Sequence, residues 1–591
     1  MKKLILILSI ILLYTITCSV QLQAQSLPVG TPVLEDAYRR AQLLGQIDSS
    51  ISFTARPFFP AIALKSKNSF DPDQSLEKDS WSKSHGIFKF DKGKGMVMLL
   101  PITWINQYNS ARPAGLNDGP MIPAKGYQTL ISGGIYFQYY NLSIQLRPEI
   151  VKAVNSNYEG FPHTRTDPVW AEQLWYLYYQ FYLNLIDIPE KFGEKTYNRT
   201  FWGQSSIRLN FKAISVGLST ENLWWGPGMH NSLLMTNSAP GFLHFTLNTI
   251  RPVRTSVGSF EGQLIAGRLN NSGYTPPEPE RRYFQNLLYL PKPDDWRYLN
   301  GIVLSYQPKW VPGIFLGLTR SFQVYEMDLG NSFGPKKIGD MLPVFGTIKI
   351  GDMLPVFSTF SKMKAGNLND DVKKRQQLLS VFLRWIWLKA QGEIYFEYGR
   401  SDDFWDQRDL MVEATHSSAY ILGLRKLIPL KSRKDEYIQF NMELTQLEMN
   451  PTTKNRLGMS WYLSDIVRDG YTNQGQLLGA GIGPGSNLQT ISISWVKSLK
   501  TVGIQFERFM HNSDFFNTGI KDPRMNWVDI SAGLHANWDY KNLLFSTKLE
   551  AIRSINYQWV YTPIPGDPPF YWDPGKDLYN FHAQMSVTYR F

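Results

Sequence analysis

The sequence predicts an all-β protein, a transmembrane antiparallel β-barrel of about 18 strands with short helical segments near the N-terminus and in loops. Three observations carry that expectation. The last stretch alternates strictly, with Phe581, Ala583, Met585, Val587, Tyr589 and Phe591 on one side and His582, Gln584, Ser586, Thr588 and Arg590 on the other, and it stops on a phenylalanine. A barrel strand needs that pattern because one face meets lipid and the other a polar lumen. The composition agrees: 14% aromatic residues and 45 glycines go with a mean hydropathy of −0.26, as expected when each strand is apolar on one side only. Finally, beyond the first residues no run of about 18 apolar residues occurs, so a transmembrane helix is not expected.

Taken in order, the chain opens on a secretory signal over residues 1–24. Lys2 and Lys3 precede an apolar run from Leu4 to Leu13, and Leu22-Gln23-Ala24 forms a small-residue cleavage site before Gln25. Cys18, the only cysteine, leaves with that segment, so the mature chain is expected to have no disulfide and no thiol chemistry. Removing two lysines and no acid lowers the net charge from +11 to +9. A basic exterior suits an anionic polymer or lipopolysaccharide, although lysines at barrel rims give the same count. Residues 25–95 read as a periplasmic N-terminal segment with a short helix. Thr31 is its N-cap, Pro32 lies in its first turn, Glu35 and Asp36 sit near the positive end of the helix dipole, and Gly45 can end it. Leu34, Ala37, Tyr38, Ala41 and Leu44 make one apolar face, expected to pack on the barrel's lower rim, and Ile51, Phe53 and Ala55 a short strand beside it.

Residues 96–591 read as the outer-membrane barrel with long extracellular loops. Alternation marks strands near 96–108, 127–139, 141–150, 207–211, 214–221, 243–249, 258–269, 301–308, 313–326, 379–388, 393–398, 419–427, 436–448, 490–497 and 502–510, followed by 530–538, 543–559 and the terminal strand. The connection Asp539 to Asn542 is short and that from Val560 to Leu578 long and proline-rich, which fixes the orientation because short turns are periplasmic. Counting strands from there places Glu221 to Phe242 and Gly470 to Asn487 outside the cell. Asp167 to Leu185, with Pro168 at a helix start and Trp170, Leu174, Trp175 and Tyr178 on one face, reads as a helix in a long loop. Lys337 to Ile348 is followed by a near copy, Lys349 to Phe360; one tandem copy is no solenoid, and a surface loop tolerates it.

The stretch that stands out chemically is Ser219 to Phe242, STENLWWGPGMHNSLLMTNSAPGF. Aromatic plates beside amides and hydroxyls are what a sugar-binding surface needs, since a ring covers the C–H face of a pyranose while short polar groups satisfy its hydroxyls. Trp224, Trp225, Glu221, His230, Asn231 and Asn237 are therefore the candidate saccharide-binding residues. If the segment is extended, the consecutive tryptophans point to opposite sides, one stacking on sugar and the other anchoring the loop. The alternative is that both belong to the aromatic belt of a membrane barrel. This stretch, together with IDIPEKFG (Ile186 to Gly193), EIYFEYGRSDD and HSSAYILG (Glu393 to Asp403, His416 to Gly423) and GYTNQGQLLGAGIGPGSN (Gly470 to Asn487), resembles the capsule assembly Wzi family of outer-membrane proteins. The likeness runs in order over most of the mature chain. It implies an outer-membrane barrel that acts as a lectin, holding capsular or related surface polysaccharide at the cell surface without covalent chemistry.

Signs of other chemistry are weak. The eight histidines are scattered without paired spacing for zinc, and neither a nucleophile elbow nor a phosphate-binding loop occurs. Gly479 to Gly485, GAGIGPG, has the glycines of a nucleotide fingerprint but not its strand-then-helix context, and reads as a tight barrel loop. No catalytic residue, metal or cofactor is assigned. The acidic set Glu393, Glu397, Asp402, Asp403, Asp409 and Glu413 suggests a catalytic pair or calcium site. Alternation turns Glu393 and Glu397 toward the lumen, where charge is ordinary, with Arg384 and Arg400 as partners. Three functions stay open: a polysaccharide-binding lectin, a diffusion channel, and an enzyme acting on envelope glycan or lipid. The partners expected are surface polysaccharide, outer-membrane lipid and lipopolysaccharide, and the barrel-assembly machinery through the C-terminal strand; nothing calls for nucleic acid.

Overall fold

The computed structural model describes residues 25–66, 68–78, 87–161, 168–329, 375–401, 411–412, 415–431, 433, 435–450, 458–560 and 576–591. The tandem copy Lys337 to Phe360 and the acids Asp402, Asp403, Asp409 and Glu413 lie outside them.

The alternating segments close into a barrel of 18 antiparallel strands. Its seam joins the last strand, Leu578–Tyr589, to the first, Gly95–Asn109, in a register running from His582 opposite Asn109 to Tyr589 opposite Ile102. Three wall strands are broken in two: Leu142–Leu146 resumes as Glu149–Ala153, Tyr197–Phe201 as Ser206–Phe211, and His244–Thr249 as Val253–Arg254. Tyr197–Phe201 carries no alternation legible in the sequence, since Asn198, Arg199 and Thr200 are all exposed. It extends an existing crossing, so the strand count is unaffected.

Pleating turns successive side chains to opposite faces. In the terminal strand Phe581, Met585 and Tyr589 face outward while Asn580 and His582 are buried in the lumen. In Ser418–Pro429, Tyr420, Leu422 and Leu424 face outward, and Ala419, Ile421 and Arg425 inward. Tight turns such as Tyr140–Asn141, Lys212–Ala213, Ser498–Leu499 and Lys541–Asn542 lie at one end of the barrel, and the long connections emerge at the other.

The lumen is filled by the chain itself, from both mouths. At the short-turn mouth lies the helix Pro32–Leu43, which starts at Thr31 as its sequence indicates. Leu43 packs among Phe315, Ile386, Leu427 and Val496 from four wall strands. Arg39 Nε donates to Glu393 at 2.7 Å, and Asp36 accepts from Arg425. The helix thus sits inside the mouth and not against the lower rim, because the inward faces there carry apolar and charged groups that need a buried partner. From the helix the chain climbs to Ala55–Arg56, which pairs antiparallel with Trp224–Trp225.

From the long-loop mouth, the connections 220–243 and 458–486 fold back into the barrel. Trp225, Leu233, Leu234 and Met235 pack with Trp461, Tyr462, Tyr471, Leu477 and Leu478 against wall residues such as Leu299, Val303, Phe382 and Ile421. Burying each such apolar side chain stabilises by roughly 1.5–3 kcal/mol. Polar ties fix the two loops together: Tyr462 Oη donates to Leu233 O and accepts from Ala480 N, both at 2.7 Å. Both segments leave the mouth that the strand count assigns them, but they run inward. The helix Pro168–Tyr178 lies in the long connection after Glu149–Ala153 and runs on through Tyr179–Leu183 as a wider turn.

Candidate functional site

After the wall strand Ile214–Ser219 the chain turns into the lumen at Glu221, which is fully buried. Arg208 Nη2 donates to its carboxylate at 2.7 Å and Ser219 Oγ at 3.0 Å, with Ser26 Oγ a third donor. Burial alone would raise this carboxyl, but the Arg208 charge and these bonds outweigh it and hold the group below the usual range.

Trp224 and Trp225 form the two-residue strand opposite Arg56 and Ala55, so their indoles face opposite ways. Trp225 is 0% exposed; its indole N–H donates to Gln263 Oε1 at 2.9 Å. Its ring lies on Gly301 of the wall, where a Cβ would come within 2.7 Å of the indole, so this strand position must be glycine. Trp224 is 4% exposed and lies beneath the Arg56 guanidinium, 4.5 Å from the ring centroid. Neither ring, the one expected to stack on sugar included, is open to bulk solvent. The physical reason is the ladder with Ala55–Arg56, a partner about 170 residues away in sequence and invisible to local pattern.

Gly226-Pro227-Gly228 then reverses the chain. Gly226 has φ +134°, and a Cβ there would lie 2.6 Å from Ser232 Oγ and 2.7 Å from Glu397 Oε2. The turn aims three successive backbone N–H groups at one wall carboxylate. Met229 N, His230 N and Asn231 N donate to Glu443 at 2.7, 3.1 and 2.8 Å, and Tyr395 Oη donates to it at 2.7 Å. Such charge-assisted bonds are about twice as strong as neutral ones. Glu397 accepts from Ser380 Oγ at 2.7 Å and from Ser232 Oγ and Leu233 N at 3.4 Å. Glu393 is held by Arg39 and Arg384, each at 2.7 Å. Of the acids that suggested catalysis, Glu393 and Glu397 are occupied in fastening the two plugs to the wall, and the other four lie outside the described residues. Sequence alternation put Glu393 and Glu397 in the lumen; it had no means of naming Glu443 as the anchor.

Between the plugs is a cavity of about 400 Å³. Trp224, His230 and Asn237 line it, beside Asn117, Asp118 and Lys548. Asn237 Nδ2 donates to Asn117 O at 2.8 Å, and Asn117 Nδ2 to His230 O at 2.6 Å. Of the six candidate residues, three therefore meet at one cavity, while Glu221, Trp225 and Asn231 are packed into the plug. A second cleft, of about 200 Å³, lies at the long-loop end. Phe161, Trp175, Tyr178, Tyr182, Trp527 and Trp559 line it, together with Ile482 to Pro484 of the glycine-rich segment. Only Trp175 and Tyr178 of its rings stood out in the sequence, as one face of a helix.

The profile of the capsule assembly protein Wzi family matches residues 196–544. No curated protein sequence matches. Among solved structures, similarity is found to Wzi of Escherichia coli, described as an outer-membrane protein involved in group 1 capsule assembly and a carbohydrate-binding β-barrel. That match has a TM-score of 0.56 at 12% identity and covers 96% of this chain and 100% of that one. OccAB2 of Acinetobacter baumannii (TM-score 0.36, 9% identity, 83% of this chain and 97% of that) and OprD of Pseudomonas aeruginosa (0.34, 9%, 86% and 95%) also match. With more than half of its length under the family profile, and with the inward-folded Ser219 to Phe242 stretch inside the matched region, the chain belongs to the Wzi family of capsule assembly proteins.

Proposed function

We propose that this protein is an outer-membrane lectin. Delivered by its secretory leader, it stands with its long loops at the cell surface, where it attaches or organises capsular or other extracellular polysaccharide without covalent chemistry. The observation that carries this reading is the lumen, which the chain occupies from both mouths with buried, mutually bonded segments. A diffusion channel of this strand number would leave an aqueous route. The enzyme reading is weakened at two of its six candidate acids, since Glu393 and Glu397 are committed to structural bonds. The carbohydrate binding described for the Escherichia coli protein supports the same direction.

The test is deletion and complementation in the source cell, with cell-bound and released polysaccharide measured separately. Loss of the protein is expected to shift polysaccharide into the medium, and the full chain to restore it. An unchanged distribution would refute the lectin. Steady conductance of the purified barrel in a planar bilayer would favour the channel instead.

A further inference from the structure

We propose that the aromatic cleft at the long-loop end is a subsite for a single neutral pyranose ring of the bound polysaccharide; this rests on the lectin reading above and names where the sugar sits. Separate connections converge to build it. The Tyr178 ring stacks on Phe161, with centroids 4.4 Å apart and planes 5° from parallel, and on Tyr182 at 5.4 Å and 20°. Trp527 stacks on His511 at 3.8 Å and meets Trp559 edge-on at 5.2 Å and 84°, and Trp559 in turn touches Phe161 at 6.3 Å. Aromatic walls held at fixed angles are preorganised to cover the C–H face of a sugar.

Polar groups are present and free. Among the described residues the hydroxyls of Tyr178 and Tyr182 make no hydrogen bond and the buried indole N–H of Trp559 has no acceptor. A buried donor without a partner is costly, and a ligand hydroxyl removes that cost. Size and charge narrow the occupant. The cleft's volume of about 200 Å³ lies below the roughly 300–1,000 Å³ of sites for drug-sized ligands, so it admits one ring and not a run of chain. The sugar must then enter as a branch or end residue. No lysine or arginine lines the cleft among the described residues, and one carboxylate, Glu190, does. The cleft therefore selects a neutral ring over a uronic acid, even though the chain as a whole is basic.

The experiment uses the full-length barrel in a zwitterionic detergent without a sugar headgroup. Its probes are polysaccharide extracted from the source cells, with methyl glucoside, methyl galactoside, methyl N-acetylglucosaminide and glucuronic acid as competitors. Tyr182→Ala is expected to weaken polysaccharide binding roughly tenfold, in line with aromatic stacking on other flat ligands, without loss of the heat-modifiable fold. At least one neutral pyranoside is expected to compete, and glucuronic acid to compete less. Should Tyr182→Ala fail to fold, the double variant Tyr178→Phe/Tyr182→Phe keeps the rings and removes only the hydroxyls, with weakening of a few-fold expected. If wild type binds polysaccharide and the folded variants bind it equally well, the cleft assignment fails and the lectin stands. Wild type failing to bind would overturn both. Competition by an alkyl chain in place of a pyranoside would make the cleft a lipid-tail site, and equal competition by glucuronic acid would overturn the neutral-ring specificity.

Discussion

Replacing Glu443 by alanine is predicted to unfasten the Gly226 to Leu233 turn from the wall while the barrel stays closed. Glu443 is the shared acceptor for Met229 N, His230 N, Asn231 N and Tyr395 Oη, at 2.7–3.1 Å. Truncation leaves three backbone donors in dry surroundings at about 1–3 kcal/mol each. The turn can relieve part of this by admitting water into the adjoining cavity, so the lower end, about 3 kcal/mol in all, is the working figure; that is roughly a hundredfold in local opening. The assay is amide hydrogen exchange by mass spectrometry on the folded barrel. Peptides covering Met229 to Leu233 are expected to exchange roughly a hundredfold faster, whereas the wall strand Tyr437–Gln446 that carries Glu443 keeps its protection. Glu443→Gln retains one acceptor oxygen and should fall between. Unchanged exchange in the alanine variant would refute the anchoring argument, and equal loss of protection in the wall would show that the carboxylate holds the barrel and not the turn.

Three further predictions follow from particular residues. Trp225→Ala removes a fully buried indole from the plug and should lower stability by about 3–5 kcal/mol, read as a fall in the temperature at which the heat-modifiable form is lost, while the folded fraction still binds polysaccharide. Burial raises the Asp514 carboxyl to about 7, although Ser460 Oγ and Met449 N donate to it. The native state holds that proton more tightly than the unfolded chain, so the contribution is full below about pH 4 and is lost as pH rises through 7; Asp514→Asn should therefore be stabilised relative to wild type at pH 8 but not at pH 4, and equal shifts at both would refute it. Deleting Phe591, or replacing it with Asp, should leave the chain unassembled in the periplasm, because the terminal strand forms the seam that closes the barrel; normal assembly of either variant would count against that role.

The barrel was legible because its signal is local. Two-residue alternation in stretches such as Leu578–Tyr589 needs only the chain's own neighbours, and even the unread Tyr197–Phe201 left the count intact. The Ser219 to Phe242 stretch was legible as special, and Trp224 and Trp225 do face opposite ways. What its specialness meant was not legible, because tryptophan, glycine and amide serve a sugar surface and a packed plug equally well. The answer depends on long-range partners: Arg208 and Ser26 for Glu221, Gly301 for Trp225, and Glu443 for the backbone of Met229 to Asn231. The long-loop cleft was hidden for the same reason, since Phe161, Tyr182, Trp527 and Trp559 come from distant connections.

The short ladder of Ala55–Arg56 with Trp224–Trp225 is one place where the two luminal segments meet, with Ser26 Oγ donating to Glu221 and Arg56 Nη2 to Gly228 O as further ties. Its bonds are few: two residue pairs, and Gly226 N donating to Thr54 O at 2.8 Å. One strand belongs to the segment anchored at the short-turn mouth by Arg39 and Asp36, and the other to the loop anchored higher by Glu443. Displacing the loop toward the long-loop mouth would have to part these bonds or move the N-terminal segment with it. The wall is a closed sheet of long ladders, so this joint is where the two luminal segments can part with the loss of the fewest backbone bonds.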